Sequence, residues 1–92
     1  MSVSGLALAP RSIPGLDITP AEGGYIVYQP ELDRVHHLNY SARLILELCT
    51  GANSAAEIAA FLQDAYEMPH APVAMVCEAI AKLSELRLIE VD

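Results

Sequence analysis

The residues best suited to chemistry in this chain are three histidines and two cysteines: His36, His37, His70, Cys49 and Cys77. Imidazole and thiolate groups are the usual ligands of zinc, but no spacing among these five matches a zinc site. Adjacent residues of a strand also point to opposite faces, so His36 and His37 cannot easily share a metal ion. The sequence therefore predicts no metal site and no cofactor.

Covalent catalysis would need a nucleophile, a base and an orienting group held together. Cys49 lies on an apolar helical pattern that offers no polar neighbour to activate it, and both cysteines are expected to be reduced, buried thiols. Glu85 and Glu90 belong to a solvated charge pattern, and the Gly23-Gly24 pair is typical of a hairpin turn rather than a phosphate-binding loop. We predict that the chain is not an enzyme.

Length and composition indicate one small domain with an aliphatic core. The chain has 92 residues, of which 53% are hydrophobic but only 5% aromatic. The formal net charge of −7 argues against nucleic-acid binding, which depends on neutralising phosphates. No apolar run approaches the ~20 residues that span a membrane, and the N-terminus does not resemble a signal peptide, so a cytoplasmic location is expected.

The periodicity predicts an α+β fold that resembles a winged helix-turn-helix domain. Alternating and β-branched residues, with Gly- and Pro-containing turns between them, favour three short strands. Turns this short make neighbouring strands antiparallel, which gives a β-meander. The strands are expected over residues 16–19, 25–28 and 34–38.

Three α-helices are predicted after the meander. Asn39 is a good N-cap for a helix over residues 40–49, and Gly51 can end it. A second helix begins at the capping box that starts with Ser54 and continues to about residue 66. A third follows Pro72 and carries its apolar residues on one face. We expect a flexible N-terminal arm over residues 1–14 and one domain over residues 15–92.

The third strand is expected to be an open edge of the sheet. It has no Pro or Lys to prevent pairing, so an extended peptide could add to it and lie in a groove against the third helix. The N-terminal arm or another subunit could cover the edge instead, and we expect that the chain can form a homodimer in this way. The candidate lining is Val35, His37, Met75, Ala79 and Lys82, and the alternative is the opposite face of the strand, which carries His36 and Leu38.

Several segments together resemble one protein family over roughly residues 14–91. They are Gly24 to Tyr28, Val35 to Ala42, Leu48 to Gly51, Ser54 to Ala59 and Leu83 to Ile89. The order and spacing of these segments resemble the PqqD family. The segments are a hairpin, a helix that begins Leu-Asn-x-Ser-Ala, a glycine that ends it, a helix that begins Ser-Ala-x-Glu, and a Leu-rich C-terminal segment. These small precursor-peptide-binding proteins are also called RiPP recognition elements.

The resemblance implies a non-catalytic peptide chaperone. Such proteins bind the leader segment of a ribosomally made precursor peptide and present it to a modifying enzyme, often a radical SAM enzyme. The leader pairs with the third strand and lies against the third helix, which on this chain implies Arg34, Val35, His36, His37, Leu38, Met75, Ala79, Lys82 and Leu86.

Two alternatives and one departure bear on that expectation. PqqD proper has an Arg-Gly pair before its first strand, where this chain has Pro14 and Gly15. The difference favours a PqqD-like protein of another peptide pathway over one of pyrroloquinoline quinone biosynthesis. The alternatives are a winged-helix DNA-binding regulator and a purely structural subunit. The first is disfavoured because the helical half offers only Arg43, Lys82 and Arg87 as cations.

Overall fold

The structure is a computed structural model that describes residues 9–90. Its elements follow in the order β1 (Arg11–Ser12), β2 (Asp17–Ala21), β3 (Gly24–Gln29), β4 (Arg34–Leu38), α1 (Tyr40–Leu48), α2 (Ala55–Ala65), α3 (Val73–Glu85) and β5 (Ile89–Glu90). The strands β2, β3 and β4 form one sheet in that order, and β1 pairs with β5 in a second, two-stranded sheet. The predicted α+β fold, a meander followed by three helices, is confirmed.

The meander is antiparallel throughout. The register of β2 on β3 runs from Asp17↔Tyr28 to Ala21↔Gly24, and that of β3 on β4 runs from Gln29↔Arg34 to Tyr25↔Leu38. The third strand has the predicted bounds. The other two are longer than predicted, because Pro20, Ala21 and Gln29 belong to the sheet rather than to the turns.

Local capping chemistry sets where the helices begin. The Ala42 amide donates to the Asn39 side-chain oxygen at 2.8 Å, which closes the first turn of α1. At α2 the Glu57 amide donates to the Ser54 hydroxyl and the Ser54 amide donates to the Glu57 carboxylate, at 3.2 and 2.7 Å. This is the reciprocal pairing expected of a capping box.

One aliphatic core joins the meander to the helices. Its fully buried members include Val27 from the central strand, Ile45 from α1, Leu62 from α2 and Leu83 from α3. Leu88, just after α3, is buried as well. Since α1 contacts β3, β4 and α3, it is the central helix of the domain, as its nearly all-round apolar pattern predicts.

The end of the predicted N-terminal arm is part of the packed domain. Arg11 and Ser12 pair with Glu90 and Ile89. The Ser12 amide also donates to the Cys49 carbonyl at 2.8 Å. This segment therefore joins the end of α1 to the end of the chain, whereas residues 1–8 of the predicted arm lie outside the described residues. Within residues 9–90, no helix has the length and apolar character needed to cross a membrane.

Candidate functional site

The main concave surface of interest is a groove of about 370 Å³ where β4 turns into α1 and faces α3. Its floor is apolar, and its rim carries an amide, a hydroxyl, a carboxylate and an ammonium group. We call it the strand–helix groove. It is lined by Leu38, Asn39, Ser41, Ala42, Ile45, Met75, Glu78, Ala79, Lys82 and Leu83.

The first wall of the groove comes from the strand-to-helix junction. Leu38 is buried at the end of β4, and Asn39, next in the chain, caps the start of α1. The small side chain of Ala42 and the buried Ile45 follow on the face of α1 that points into the groove. A helix capped this tightly has little freedom in its first turn, so this wall is preformed.

A close backbone approach holds the junction in place. A Cβ atom on Gly24 would overlap the Leu38 carbonyl oxygen and lie 2.9 Å from the Asn39 Cα. Only glycine allows β3 to start this near the end of β4. On the other side of the junction, the Tyr25 and Tyr40 rings meet edge to face with their centroids 6.0 Å apart.

The second wall is one side of α3. Met75, Glu78, Ala79 and Lys82 recur at spacings of three and four residues, which places them along one helical stripe. Ala79 leaves room at its centre, and Met75, 40% exposed, supplies a flexible apolar side chain at one end. Lys82 is the chain's one lysine.

The groove lies beside the open edge of the sheet. In the order β2-β3-β4, no strand among the described residues pairs with the outer side of β4. The β2–β3 hairpin has a two-residue loop, whose closing pair Ala21↔Gly24 exchanges backbone hydrogen bonds. Hydrogen-bonded and non-hydrogen-bonded residue pairs alternate along an antiparallel ladder. The backbone N–H and C=O of His36 therefore point to β3, whereas those of Val35 and His37 point to the open edge.

The sequence-predicted residues divide between the two faces of β4. Leu38, Met75, Ala79 and Lys82 line the strand–helix groove. The Val35 and His37 side chains do not line this groove, because both project from the outer face of the sheet. Val35 is 64% exposed there, and the His37 ring lies 3.2 Å from the Glu22 carbonyl oxygen.

The remaining predicted residues lie near the groove without lining it. Arg34 is exposed at the start of β4, and Leu86 follows the last turn of α3 and packs against the core. The His36 ring faces the interior, where its Nε2–H donates to the Gln29 side-chain oxygen at 3.1 Å. Burial, with a smaller contribution from nearby Arg34, lowers the pKa of His36.

Sequence reasoning missed the contribution of α1 and one buried polar group. Ala42 and Ile45 follow Asn39 at a helical spacing that directs them to the end of β4. Gln29 lies one residue beyond the predicted strand over residues 25–28. It is 2% exposed, and its amide donates to the Arg87 carbonyl at 2.8 Å, a partner that no local signal identifies.

Nothing about the cysteines and histidines indicates a catalytic centre. Cys49 is buried, which raises the pKa of its thiol to about 11, so it is protonated at neutral pH. Both cysteines are free thiols. In the part of the chain from residue 9 to residue 90, no three His, Cys, Asp or Glu side chains form a group that could hold a metal ion. What the groove offers is an apolar floor with hydrogen-bonding and charged groups on its rim.

Comparison with known proteins identifies this arrangement. The family model for Coenzyme PQQ synthesis protein D (PqqD) matches residues 24–89. Among solved structures, the chain is similar to the solution NMR structure of the PqqD truncation of Methylobacterium extorquens PqqCD, described as a functional and stand-alone RiPP recognition element. The two are 26% identical, with 97% of this chain and 95% of that chain covered and a TM-score of 0.65. No curated protein matches the chain in sequence. The chain therefore belongs to the PqqD family and has the α+β fold of a RiPP recognition element.

Proposed function

We propose that this protein is a non-catalytic chaperone that binds the leader segment of a ribosomally made precursor peptide and presents it to a modifying enzyme. The observation that carries the proposal is the position of an apolar groove directly beside an unpaired strand edge. Its membership of the PqqD family and its similarity to a stand-alone recognition element support the same role.

Two kinds of interaction would share the work of binding. The outward N–H and C=O groups of Val35 and His37 would pair with the backbone of the leader, which aligns it with β4. Alternate leader side chains would then enter the strand–helix groove, where Leu38 and Ala79 favour an apolar group. Lys82 on the rim would favour a leader with an acidic residue nearby.

The DNA-binding alternative has less support. Among the three helices, the Lys and Arg side chains are Arg43 and Lys82. The Arg43 guanidinium lies 3.6 Å from the Glu47 carboxylate and stacks over the Tyr25 ring, 5.5 Å from its centroid. A recognition helix with this little positive charge would not offset the repulsion between DNA and a chain of net charge −7.

The groove is tested by a matched pair of substitutions on α3. Ala79→Glu puts a carboxylate inside the groove, whereas Ala81→Glu puts the same group on the exposed side of the helix. We expect Ala79→Glu to weaken binding of the synthetic leader by tenfold or more in calorimetry, and Ala81→Glu to change it less than twofold. The leader is taken from the precursor peptide encoded beside this gene, and the pyrroloquinoline quinone precursor leader serves as the non-cognate peptide. Equal affinities for two folded variants would exclude the groove.

The strand edge is tested at one position. His37→Ala and His37→Pro both remove the ring, but only proline removes the outward-pointing N–H. Because edge strands tolerate proline, we expect circular dichroism to report a folded domain in both cases. The proline variant alone should lose leader affinity. If it binds as tightly as the alanine variant, strand addition at β4 is refuted.

Presentation to an enzyme is tested by mass spectrometry of the precursor peptide. We expect this chain alone to leave the mass of the precursor peptide unchanged. The modifying enzyme is the radical SAM enzyme encoded beside this gene, and we expect it to modify the precursor faster when this chain is present. Modification that is equally fast without the chain, or with the Ala79→Glu variant, would contradict the proposed role.

A further inference from the structure

The second surface of interest is the outward face of α2, on which the chain's single phenylalanine lies. Phe61 is 50% exposed, although the aliphatic core would bury an aromatic ring readily. At 100° per residue, Phe61 lies about 110° around the helix axis from the middle of the buried stripe of α2, which contains Ala55, Ile58, Ala59 and Leu62. Half of this large apolar ring is therefore presented to solvent, on the flank of a helix whose core-facing positions are filled by smaller side chains.

Two carboxylates flank this ring along the helix, and one of them, that of Glu57, also accepts the Ser54 amide in the capping box. Glu57 and Asp64 lie four residues before and three residues after Phe61, on the same helical face. From Leu44 to Ala81 the sequence has five acidic residues and no Lys or Arg. The described ion pair, Arg43 with Glu47, involves neither of the two carboxylates beside Phe61.

A hollow of about 380 Å³ continues this face toward the end of α2. It is lined by Ala60, Gln63, Asp64, Glu67 and Met68, so two carboxylates meet an apolar methionine there. A long side chain with an apolar stem and a cationic head, such as Arg or Lys, has the matching chemistry.

We propose that the α2 face formed by Glu57, Phe61, Asp64 and Glu67 docks a basic surface of the peptide-modifying enzyme, with Phe61 entering an apolar pocket. The inference rests on the proposed function for the identity of the partner. Charge complementarity selects the occupant, because a second copy of this chain would bring a net charge of −7 against the same acidic face. Aromatic side chains, phenylalanine among them, are enriched in protein interfaces.

The α2 face and the strand–helix groove are separate surfaces. No residue of α2 lines the groove, which is built from β4, α1 and α3. Helix α2 packs on α3, and the hollow beside the α2 face shares no lining residue with the groove. The two surfaces can therefore be occupied at once, which lets one chain hold a leader and an enzyme in a ternary complex.

The experiment measures two bindings with the same variants of the full chain. The first probe is the peptide-modifying enzyme encoded beside this gene, and the second is the synthetic leader peptide. Phe61→Ala should weaken the enzyme complex by tenfold or more. Asp64→Lys should slow enzyme association and reduce its dependence on salt. Neither substitution should change leader affinity by more than twofold.

Two controls match these changes in chemistry. Tyr66→Ala removes another exposed aromatic ring, 53% exposed, about 140° around the axis from Phe61. Glu31→Lys reverses a charge in the exposed β3–β4 turn. Both should leave the enzyme affinity within twofold of the wild type, with circular dichroism showing that all four variants are folded.

Each outcome separates this inference from the proposed function. Enzyme binding that Phe61→Ala and Asp64→Lys leave unchanged, or the absence of any enzyme complex, overturns the α2 inference while leader binding stands. Loss of leader binding in the wild type, with a Phe61-dependent enzyme complex, removes the leader proposal and keeps the α2 surface. A homodimer that Phe61→Ala dissociates in sedimentation would make the occupant a second copy and overturn the inference.

Discussion

Replacing Gln29 with leucine tests whether one buried amide holds three segments together. Gln29 is 2% exposed at the end of β3. Its amide N–H donates to the Arg87 carbonyl at 2.8 Å, and its side-chain oxygen accepts from His36 at 3.1 Å. The amide thus joins the central strand to the open edge strand and to the turn that follows α3. Leucine has a similar size, so the substitution removes the two hydrogen bonds and keeps most of the packing.

The expected loss follows from those two bonds. Each is worth about 1 kcal/mol net, and leaving partly buried partners unsatisfied adds to the cost, so the free energy of unfolding should fall by about 2–3 kcal/mol. For a domain of this size that loss corresponds to a decrease in Tm on the order of 10–20 °C. Urea denaturation followed by circular dichroism measures it, and the m-value should stay unchanged.

A second glutamine provides the control. The Gln63 amide also donates to a backbone carbonyl, that of Pro69 at 3.3 Å, but this bond is exposed to solvent. Gln63→Leu should therefore change the free energy of unfolding by no more than about 0.5 kcal/mol. If Gln29→Leu is no more destabilising than Gln63→Leu, the argument that the buried amide links the sheet to the end of α3 is refuted.

Three further predictions concern a glycine, a histidine and the cysteines. Gly24→Ala should destabilise the domain by about 1–3 kcal/mol more than Gly23→Ala in urea denaturation, because only at Gly24 does a Cβ overlap backbone atoms; equal losses would contradict this. The pKa of His36 is lowered on folding, so the folded state binds fewer protons and stability should fall as the pH drops below about 6.5. A His36→Gln variant should lose that part of the pH dependence, and an unchanged urea-midpoint difference between pH 5.5 and 7.5 would refute the assignment. Iodoacetamide at neutral pH should alkylate Cys77 well before buried Cys49, whose thiol pKa is about 11, and mass spectrometry showing equal rates would argue against this burial.

Much of the fold could be predicted because its signals are local. The Asn39 cap, the Ser54–Glu57 capping box and the two hairpins depend on residues within a few positions of one another. Local hydrogen bonds and turn geometry act in the same way wherever the segment is placed. The order of the three meander strands and the three helices, and the bounds of β4, followed from these signals.

The composition of the groove could be predicted only in part. The stripe of Met75, Ala79 and Lys82 follows from helical periodicity alone. The sequence pattern does not show which face of β4 meets the helices. Alternation along the strand divides its residues into two sets without saying which set is buried. Packing of α1 beneath the sheet decided this, and it placed Leu38 in the groove and Val35 outside.

By itself, the sequence determined the three-stranded meander, the three helices, the caps at Asn39 and Ser54, and the acidic balance. Only the tertiary structure decided the roles of Gln29 and of the N-terminal segment, because their partners are distant in the chain: Gln29 bonds to Arg87, and β1 pairs with β5. Such contacts form only after the whole chain has collapsed, and their free energy depends on neighbours that a local window does not contain. The same holds for Phe61, whose exposure is defined by the helices that α2 does and does not contact.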